Sequence, residues 1–173
     1  MVISGIPSGS VFTKRLLADV TDRLEGEPIC YNAFLTPPLP CDGCGYCKHQ
    51  AACKHRDLDD FFADFAAAEH IILDFPVYNN SFPAPLKALL DRFQQYYYAR
   101  FVRNMRPPMS GKRTVTLVMT MGSNRDVTPL ILEQLRPIFT ICGCRLGTSI
   151  VLTGTDHLLP TDSLTPIVTH YES

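Results

Sequence analysis

The sequence lacks an apolar run that approaches the roughly 18 to 20 residues needed to cross a bilayer. It also lacks an excess of either charge, because 16 basic and 17 acidic residues leave a net charge of −1. Nothing in this balance points to nucleic acid or a membrane surface as a partner. The first ten residues lack the basic segment and the long apolar run of a signal peptide, so we expect a cytoplasmic protein.

Signs of disorder and of a disulfide-based scaffold are missing as well. Hydrophobic residues make up 46% of the chain and charged residues 19%, and neither value is typical of a disordered protein. The cysteine count of seven is odd, and thiols stay reduced in the cytoplasm, so a disulfide framework is not indicated. The sequence has no internal repeat, low-complexity tract or linker, and we therefore predict that residues 1–173 form a single domain.

Five apolar segments typical of strands alternate with segments whose apolar residues recur at helical spacing. Unpatterned apolar strands between helices predict a parallel sheet covered by helices on both faces. The expected architecture is a doubly wound α/β fold with strand order 2-1-3-4-5, which binds its ligand at the carboxyl ends of the strands. The predicted strands cover 1–6, 28–35, 70–78, 111–123 and 146–154, and the predicted helices cover 11–24, 57–69, 83–104 and 126–143. The last nineteen residues are expected to contain at most a short helix.

The stretch "SGIPSGSVFT" joins the first strand to the first helix, and within it the hydroxyl groups of Ser8 and Ser10 lie among residues that permit tight turns. A helix N-terminus with nearby hydroxyls can bind an anion such as phosphate. The loop contains neither the GxxxxGK[ST] nor the GxGxxG pattern, so a phosphate here would be held by neutral donors. The alternative is an ordinary strand–helix turn with a serine cap.

Two further loops, "FPVYNNSFPAPLKALLDRF" and "TMGSNRD", leave the carboxyl ends of the third and fourth strands. Taken alone, Tyr78 is an ordinary surface tyrosine, and Asn79 and Asn80 are turn formers. Because all three loops leave the same edge of the predicted sheet, we expect them to converge on one crevice.

These loops, together with "CDGCGYC" and the helix that follows it, resemble the NADPH-dependent FMN reductase and iron–sulfur flavoprotein group of the flavodoxin-like fold. The P-x-Y motif followed by P-A-x-L-K-x-x-x-D-R is the most specific part of the likeness. The resemblance implies bound FMN, with its phosphate surrounded by Ser8, Ser10, Val11, Phe12 and Thr13. It implies that Pro76, Val77, Tyr78, Asn79 and Asn80 border the isoalloxazine ring, and that Met121, Gly122 and Ser123 close its far side. The family often has Arg and Asn where this chain has Ser8 and Phe12.

Four cysteines fall within thirteen positions of the loop at 36–56, at the spacing C-x2-C-x2-C-x5-C. They are Cys41, Cys44, Cys47 and Cys53. Zinc usually takes two separated cysteine pairs, whereas consecutive x2 spacings suit one face of a 4Fe–4S cluster. The resemblance also implies a cluster, and zinc and free thiols remain as alternatives. The other three cysteines, Cys30, Cys142 and Cys144, are predicted to pack in the interior.

The resemblance implies an FMN-dependent oxidoreductase that takes electrons from NAD(P)H or a redox protein. The flavin would perform the chemistry, so we assign no side chain as general acid or base. The alternatives are an electron carrier without a dedicated small substrate and a binding module that has lost its cofactor. The helix at 83–104 carries three consecutive tyrosines that cannot all face one core, which predicts a homo-oligomer. The arginines on and just after this helix are predicted to form a solvated face, and the alternative is that they attract an anionic partner or the phosphates of a nicotinamide cofactor: Arg92, Arg100, Arg103 and Arg106.

Overall fold

The computed structural model describes residues 1–171, and its elements alternate in the predicted order. The strands are β1 (Val2–Ser4), β2 (Cys30–Asn32), β3 (His70–Pro76), β4 (Arg113–Thr120), β5 (Cys144–Leu152) and β6 (Ile167–His170). The helices are α1 (Val11–Thr21), α2 (Asp59–Ala67), α3 (Ala84–Asp91), α4 (Gln94–Phe101) and α5 (Thr128–Ile141). Short 3₁₀ turns lie at Tyr46–Lys48 and Thr155–His157. Among these residues, no helix combines the length and the apolar character needed to cross a membrane.

The described residues form one six-stranded sheet in the order β2-β1-β3-β4-β5-β6. The first five strands are parallel and follow the predicted order 2-1-3-4-5, which confirms the flavodoxin-like α/β fold. The predicted number of five strands is wrong, because β6 pairs with β5 in antiparallel register, with Ile150 opposite Val168. β6 is four residues long and exposed along its whole length, so it lacks the apolar pattern that marks the buried strands.

Alternate residues of the central strands face two different apolar layers. Leu73 and Leu117 belong to the larger cluster, which contains the apolar side chains of α2, α3 and α5. Ile72 and Val118 face the smaller cluster, which includes Leu16 of α1 and the segment near Leu158 and Leu164. The sheet is therefore covered on both faces, but one face has a single helix and an irregular C-terminal segment. A fifth strand–helix unit is not completed, because β5 leads into a 3₁₀ turn and then β6.

Arg113, the first residue of β4, is almost completely buried and holds two helix ends against the sheet. Its Nε donates to the Phe65 carbonyl near the end of α2 at 2.8 Å, and its Nη1 donates to the Cys142 carbonyl after α5 at 2.9 Å. Carbonyl groups at a helix C-terminus carry partial negative charge, so a cation there is favourable. Cys142 and Cys144 are buried as predicted, but Cys30 is exposed because β2 is an edge strand.

The helix predicted at 83–104 is two helices, α3 and α4, which are separated at Arg92 and Phe93. The amide N–H groups of these two residues bond to the Leu89 and Leu90 carbonyls, three positions earlier, instead of continuing the α-helical pattern. The prediction of a solvated arginine face is wrong at Arg92, whose side chain is 1% exposed. Its partners lie in the cysteine-containing loop, which follows β2 and packs against α4.

Candidate functional site

The loop after β1 opens into an accessible concave site at the N-terminus of α1. Ser10 precedes the helix with extended backbone, and its side chain forms no hydrogen bond that caps the helix. A Cβ atom placed on Gly9 would have nothing within 4 Å, so the backbone here borders open space. The Lys14 ammonium group contacts the Ser8 carbonyl, which brings a positive charge to the loop that the sequence pattern did not reveal. Exposed N–H groups, the helix dipole and this ammonium group all favour an anion.

Three hydroxyl groups are linked by hydrogen bonds at the start of α1. The Ser10 and Thr13 hydroxyls are 2.8 Å apart, and the Thr13 and Thr120 hydroxyls are 2.6 Å apart. Thr13 is fully buried, so its hydroxyl connects the helix to the end of β4. Ser10 is the half-exposed member of these three hydroxyl groups, and it faces the concave site.

The loop after β3 is a tight turn built on two asparagines. Asn79 and Asn80 have φ values of 50° and 59°, a conformation that asparagine tolerates better than most residues. Tyr78 and Ser81 exchange backbone hydrogen bonds of 3.0 and 2.9 Å across the turn. The Ser81 hydroxyl donates to Gln134 Oε1 of α5 at 3.0 Å, so the turn is tied to the body of the protein. Tyr78 remains 47% exposed at the tip.

The loop after β4 is joined to the segment that follows β5. The amides of Thr155 and Asp156 donate to the Met121 and Gly122 carbonyls, each at 3.1 Å. A Cβ atom on Gly122 would lie 2.5 Å from Asp156 Oδ2, so a larger residue here would displace the exposed Asp156 carboxylate. The Met121 side chain lies in the core, which leaves only its backbone available to a ligand.

The loops after β1, β3 and β4 border one cleft of about 760 Å³ at the carboxyl ends of these strands. Nine predicted cofactor residues line it: Ser10, Val11, Phe12, Thr13, Pro76, Val77, Tyr78, Asn79 and Gly122. Three others, Asn80, Met121 and Ser123, line an adjoining depression of about 330 Å³. Ser8 lines neither space and instead faces solvent.

Five residues of the cleft were missed by sequence reasoning: Pro7, Gly9, Thr120, Thr155 and Asp156. Asp156 and Thr155 follow β5, whose carboxyl end lies at the same edge of the sheet as those of β3 and β4. The rule that placed the other loops at this edge would also have indicated the β5 loop. Thr120 is the last residue of an apolar strand and had no distinguishing pattern.

A buried carboxyl group lies between β1 and β3, close to where the first loop begins. Asp74 is 0% exposed, and the Ser4 hydroxyl donates to its Oδ2 at 3.1 Å, while its Oδ1 has no partner. Desolvation raises the pKa of Asp74 to about 7, against a smaller opposing effect of the Ser4 hydrogen bond. The same Ser4 oxygen accepts from the Ile6 amide at 3.3 Å, which connects the carboxyl group to the loop.

The four cysteines of the motif line one small cavity together with Gln94 and Tyr98 of α4. Cys47 is buried, Cys53 is half-buried, and Cys41 and Cys44 are exposed. Burial raises the pKa of the Cys47 thiol, and charges on the other three thiols raise it further. Hydrogen bonds from Cys44 lower the pKa of Asp42 to about 2, which keeps a carboxylate beside the loop.

Within residues 1–171, no three His, Cys, Asp or Glu side chains are gathered tightly enough to hold a single metal ion. A cluster makes a different demand, because each of its irons takes its own thiolate and the four sulfurs surround a larger object. Four thiols around one cavity, with left-handed glycines at Gly43 and Gly45 turning the chain, fit that demand.

The two ends of this cysteine loop are joined by Arg92 and Asp57. Arg92 Nη1 donates to the Leu39 carbonyl and to Asp57 Oδ1, both at 2.8 Å, and Nη2 donates to the His55 carbonyl at 2.7 Å. The Leu39 amide donates to Asp57 Oδ2 at 2.8 Å. Burial lowers the pKa of Arg92, but Asp57 and the nearby Cys53 outweigh that effect and raise it.

Part of the chain is similar in sequence to two proteins described as iron–sulfur flavoproteins. The chain is 44% identical to an iron–sulfur flavoprotein of Methanosarcina thermophila over 54 residues, which are 31% of this chain and 28% of that protein. It is 41% identical to an iron–sulfur flavoprotein of Methanocaldococcus jannaschii over 94 residues, which are 52% of this chain and 49% of that one. The matches thus span about half or less of the length of these curated relatives.

The fold is similar to that of an NAD(P)H:quinone oxidoreductase from Methanothermobacter marburgensis, with a TM-score of 0.69 at 15% identity. That similarity covers 93% of this chain and 84% of the other. Residues 1–157 match the family described as NADPH-dependent FMN reductase. The chain therefore belongs to the NADPH-dependent FMN reductase family.

Proposed function

We propose that this protein is an FMN-dependent oxidoreductase that takes electrons from NAD(P)H. The observation that carries the proposal is the cleft of about 760 Å³ at the carboxyl edge of the sheet, with the N-terminus of α1 at one end. Its volume lies within the roughly 300 to 1,000 Å³ range typical of small-molecule and cofactor sites. Bound flavin would supply the hydride and electron-transfer chemistry.

The residues of the cleft divide into three roles under this proposal. The Ser10 hydroxyl and the first amides of α1 hold the FMN phosphate, with the Lys14 ammonium group adding positive charge at the rim. The turn at 76–80 presents backbone groups to one edge of the isoalloxazine ring, and the backbone of Met121, Gly122 and Ser123 closes the opposite side. Val11, Phe12 and Thr13 complete the phosphate end by enclosing it, whereas the Ser8 side chain faces solvent and has no place in this arrangement.

Ser10→Asp tests the phosphate position, and Ser10→Asn is its neutral control of nearly the same size. The aspartate places a carboxylate against the phosphate, so we expect purified protein of that variant to retain little FMN. The asparagine side chain keeps a neutral N–H donor and adds no charge, so that variant should retain most of its FMN after purification. Equal FMN content in both variants would show that the phosphate lies elsewhere.

We further propose that Cys41, Cys44, Cys47 and Cys53 bind one 4Fe–4S cluster. All four side chains line one cavity, and their consecutive x2 spacings suit one face of such a cluster. Anaerobically prepared protein should contain iron and inorganic sulfide in equal amounts. One zinc per chain without sulfide would refute the cluster, and neither metal would leave four free thiols.

An electron carrier without a dedicated small substrate is the second candidate function. The exposure of Cys41 and Cys44 favours it, because it places a second redox site within reach of a partner protein. Anaerobic mixing with NADPH or NADH separates the two functions. Bleaching of bound FMN and turnover with a quinone support the enzyme, whereas reduction only by a redox protein supports the carrier.

The remaining proposals concern organisation. We propose that residues 1–173 form one domain, that the protein acts in a reducing cytoplasm, and that it assembles as a homo-oligomer through α4. The support for assembly is an exposed apolar group on and after α4, in which Tyr97 is 43%, Phe101 57%, Val102 48% and Met105 42% exposed.

A further inference from the structure

Arg92 is an unusual residue for its position, because it is a cation with a fully buried side chain at the break between two helices. Arginine is almost never completely buried unless it is paired. Here the guanidinium has one charged partner, Asp57, and two carbonyl partners, those of Leu39 and His55. Its Nε has no hydrogen-bond partner although it is buried.

The partners of Arg92 are placed symmetrically about the cysteines. Leu39 lies two residues before Cys41, and His55 lies two residues after Cys53. One planar group therefore joins the entry and the exit of a loop that has only one short 3₁₀ turn between them. Asp57 completes the link by accepting from both Arg92 and the Leu39 amide.

We propose that Arg92 is a positioning residue that holds the two ends of the cysteine loop together and so sets the four thiolates for the cluster. The inference rests on the cluster proposed above. A guanidinium has five N–H donors in a fixed plane, so it holds its three acceptors at fixed relative positions. A lysine ammonium group on a flexible stem does not fix the positions of its acceptors in this manner. The positive charge of Arg92 near Cys53 also favours the more negative, reduced form of a cluster.

The first test uses protein without iron, so that it does not depend on the cluster. Hydrogen–deuterium exchange of residues 39–57 is compared in the original protein, in Arg92→Met and in Arg92→Lys. We expect exchange in this segment to be at least ten times faster in Arg92→Met and intermediate in Arg92→Lys, while peptides from β3 and α5 are unchanged. Arg100→Met, which removes an arginine of α4, is the matched control and should exchange like the original.

The second test follows the cofactors after anaerobic reconstitution with iron and sulfide. Arg92→Met should hold less than half of the original iron at unchanged FMN content, and the remaining cluster should have a lower midpoint potential because a nearby positive charge is gone. In Arg92→Lys the midpoint potential should return closer to its original value than the iron content does. Lysine keeps the positive charge but loses the planar set of N–H donors. A solely structural role would not separate these two properties.

Several outcomes overturn the inference. Unchanged exchange in Arg92→Met would refute the proposal that Arg92 holds the two ends of the cysteine loop together. If Arg92→Lys equals the original in both exchange and iron content, a positive charge alone is sufficient and the planar guanidinium is not needed. If circular dichroism shows that Arg92→Met does not fold, exchange and iron content are compared between Arg92→Lys and the original protein, and this comparison tests the inference. Absence of iron and sulfide from the original protein refutes the proposed cluster, whereas the exchange data still decide whether Arg92 holds the loop.

Discussion

Asp74→Asn replaces a buried carboxyl group with a neutral group of the same shape. The pKa of Asp74 is raised from 3.8 to about 7 because the side chain is removed from water. The folded state therefore holds this proton more tightly than the unfolded chain does. The carboxyl group has no effect on stability below pH 3.8, and it destabilises the folded state increasingly as the pH rises through about 7. At 1.36 kcal/mol per pKa unit, the full penalty is about 4 kcal/mol.

The magnitude expected between two accessible pH values follows from the same linkage. At pH 5 the penalty is only partly developed, and at pH 8 it is nearly complete, so the two differ by about 2–3 kcal/mol. Asparagine carries no such penalty, but it buries an amide N–H2 where Oδ1 now has no partner, at a cost of about 1–3 kcal/mol at every pH. The free energy of unfolding of Asp74→Asn relative to the original should therefore rise by about 2–3 kcal/mol from pH 5 to pH 8.

Urea unfolding of the FMN-saturated and the FMN-free protein at pH 5, 6, 7 and 8 measures this difference. Asp19→Asn, which changes an exposed carboxylate on α1, is the matched control and should show no comparable trend. A difference between Asp74→Asn and the original that stays constant within about 0.5 kcal/mol across this range would refute the reasoning, since a group with an ordinary pKa gives no slope above pH 5.

Two other predictions concern the cleft and the exposed face of α4. Gly122→Ala should change FMN affinity less than about threefold in fluorescence titration, because the added methyl group meets only the exposed Asp156 carboxylate, which can turn away, and a loss of tenfold or more would show that this carboxylate is held in place. Phe101→Glu should convert the proposed oligomer to monomer in sedimentation at micromolar concentration, and an unchanged sedimentation coefficient would exclude this face as the contact.

Much of the cleft could be predicted from the sequence, because its position follows from topology. Alternation of apolar strands with helices determines a parallel sheet, and a parallel sheet brings the ends of its strands to one edge. The turn at Asn79 and Asn80 and the opening at Ser10 therefore fall where the pattern placed them. Thr120 and Asp156 were missed because neither has a local signature, although each lies at that same edge.

Other features depend on contacts that no short pattern records. β6 is short and exposed along its whole length, so its β-branched residues lack the buried apolar pattern that marked the other strands. Asp74 lies within an apolar segment that is typical of a buried strand. The Ser4 hydroxyl beside it belongs to β1, so this contact depends on the pairing of β1 with β3. The break between α3 and α4 was hidden because helical spacing continues through Arg92 and Phe93.

The two candidate sites differ in what holds them in place. The flavin cleft is formed by backbone at the ends of sheet strands, so its shape follows from the same hydrogen bonds that form the sheet. The cysteine loop stands outside the sheet and is attached through side chains, chiefly Arg92, which lies 37 residues after His55 in the chain. Within the described residues, no residue lines both cavities. A change that releases the cysteine loop should therefore leave flavin binding intact, so the two proposed redox sites should be separable by substitution.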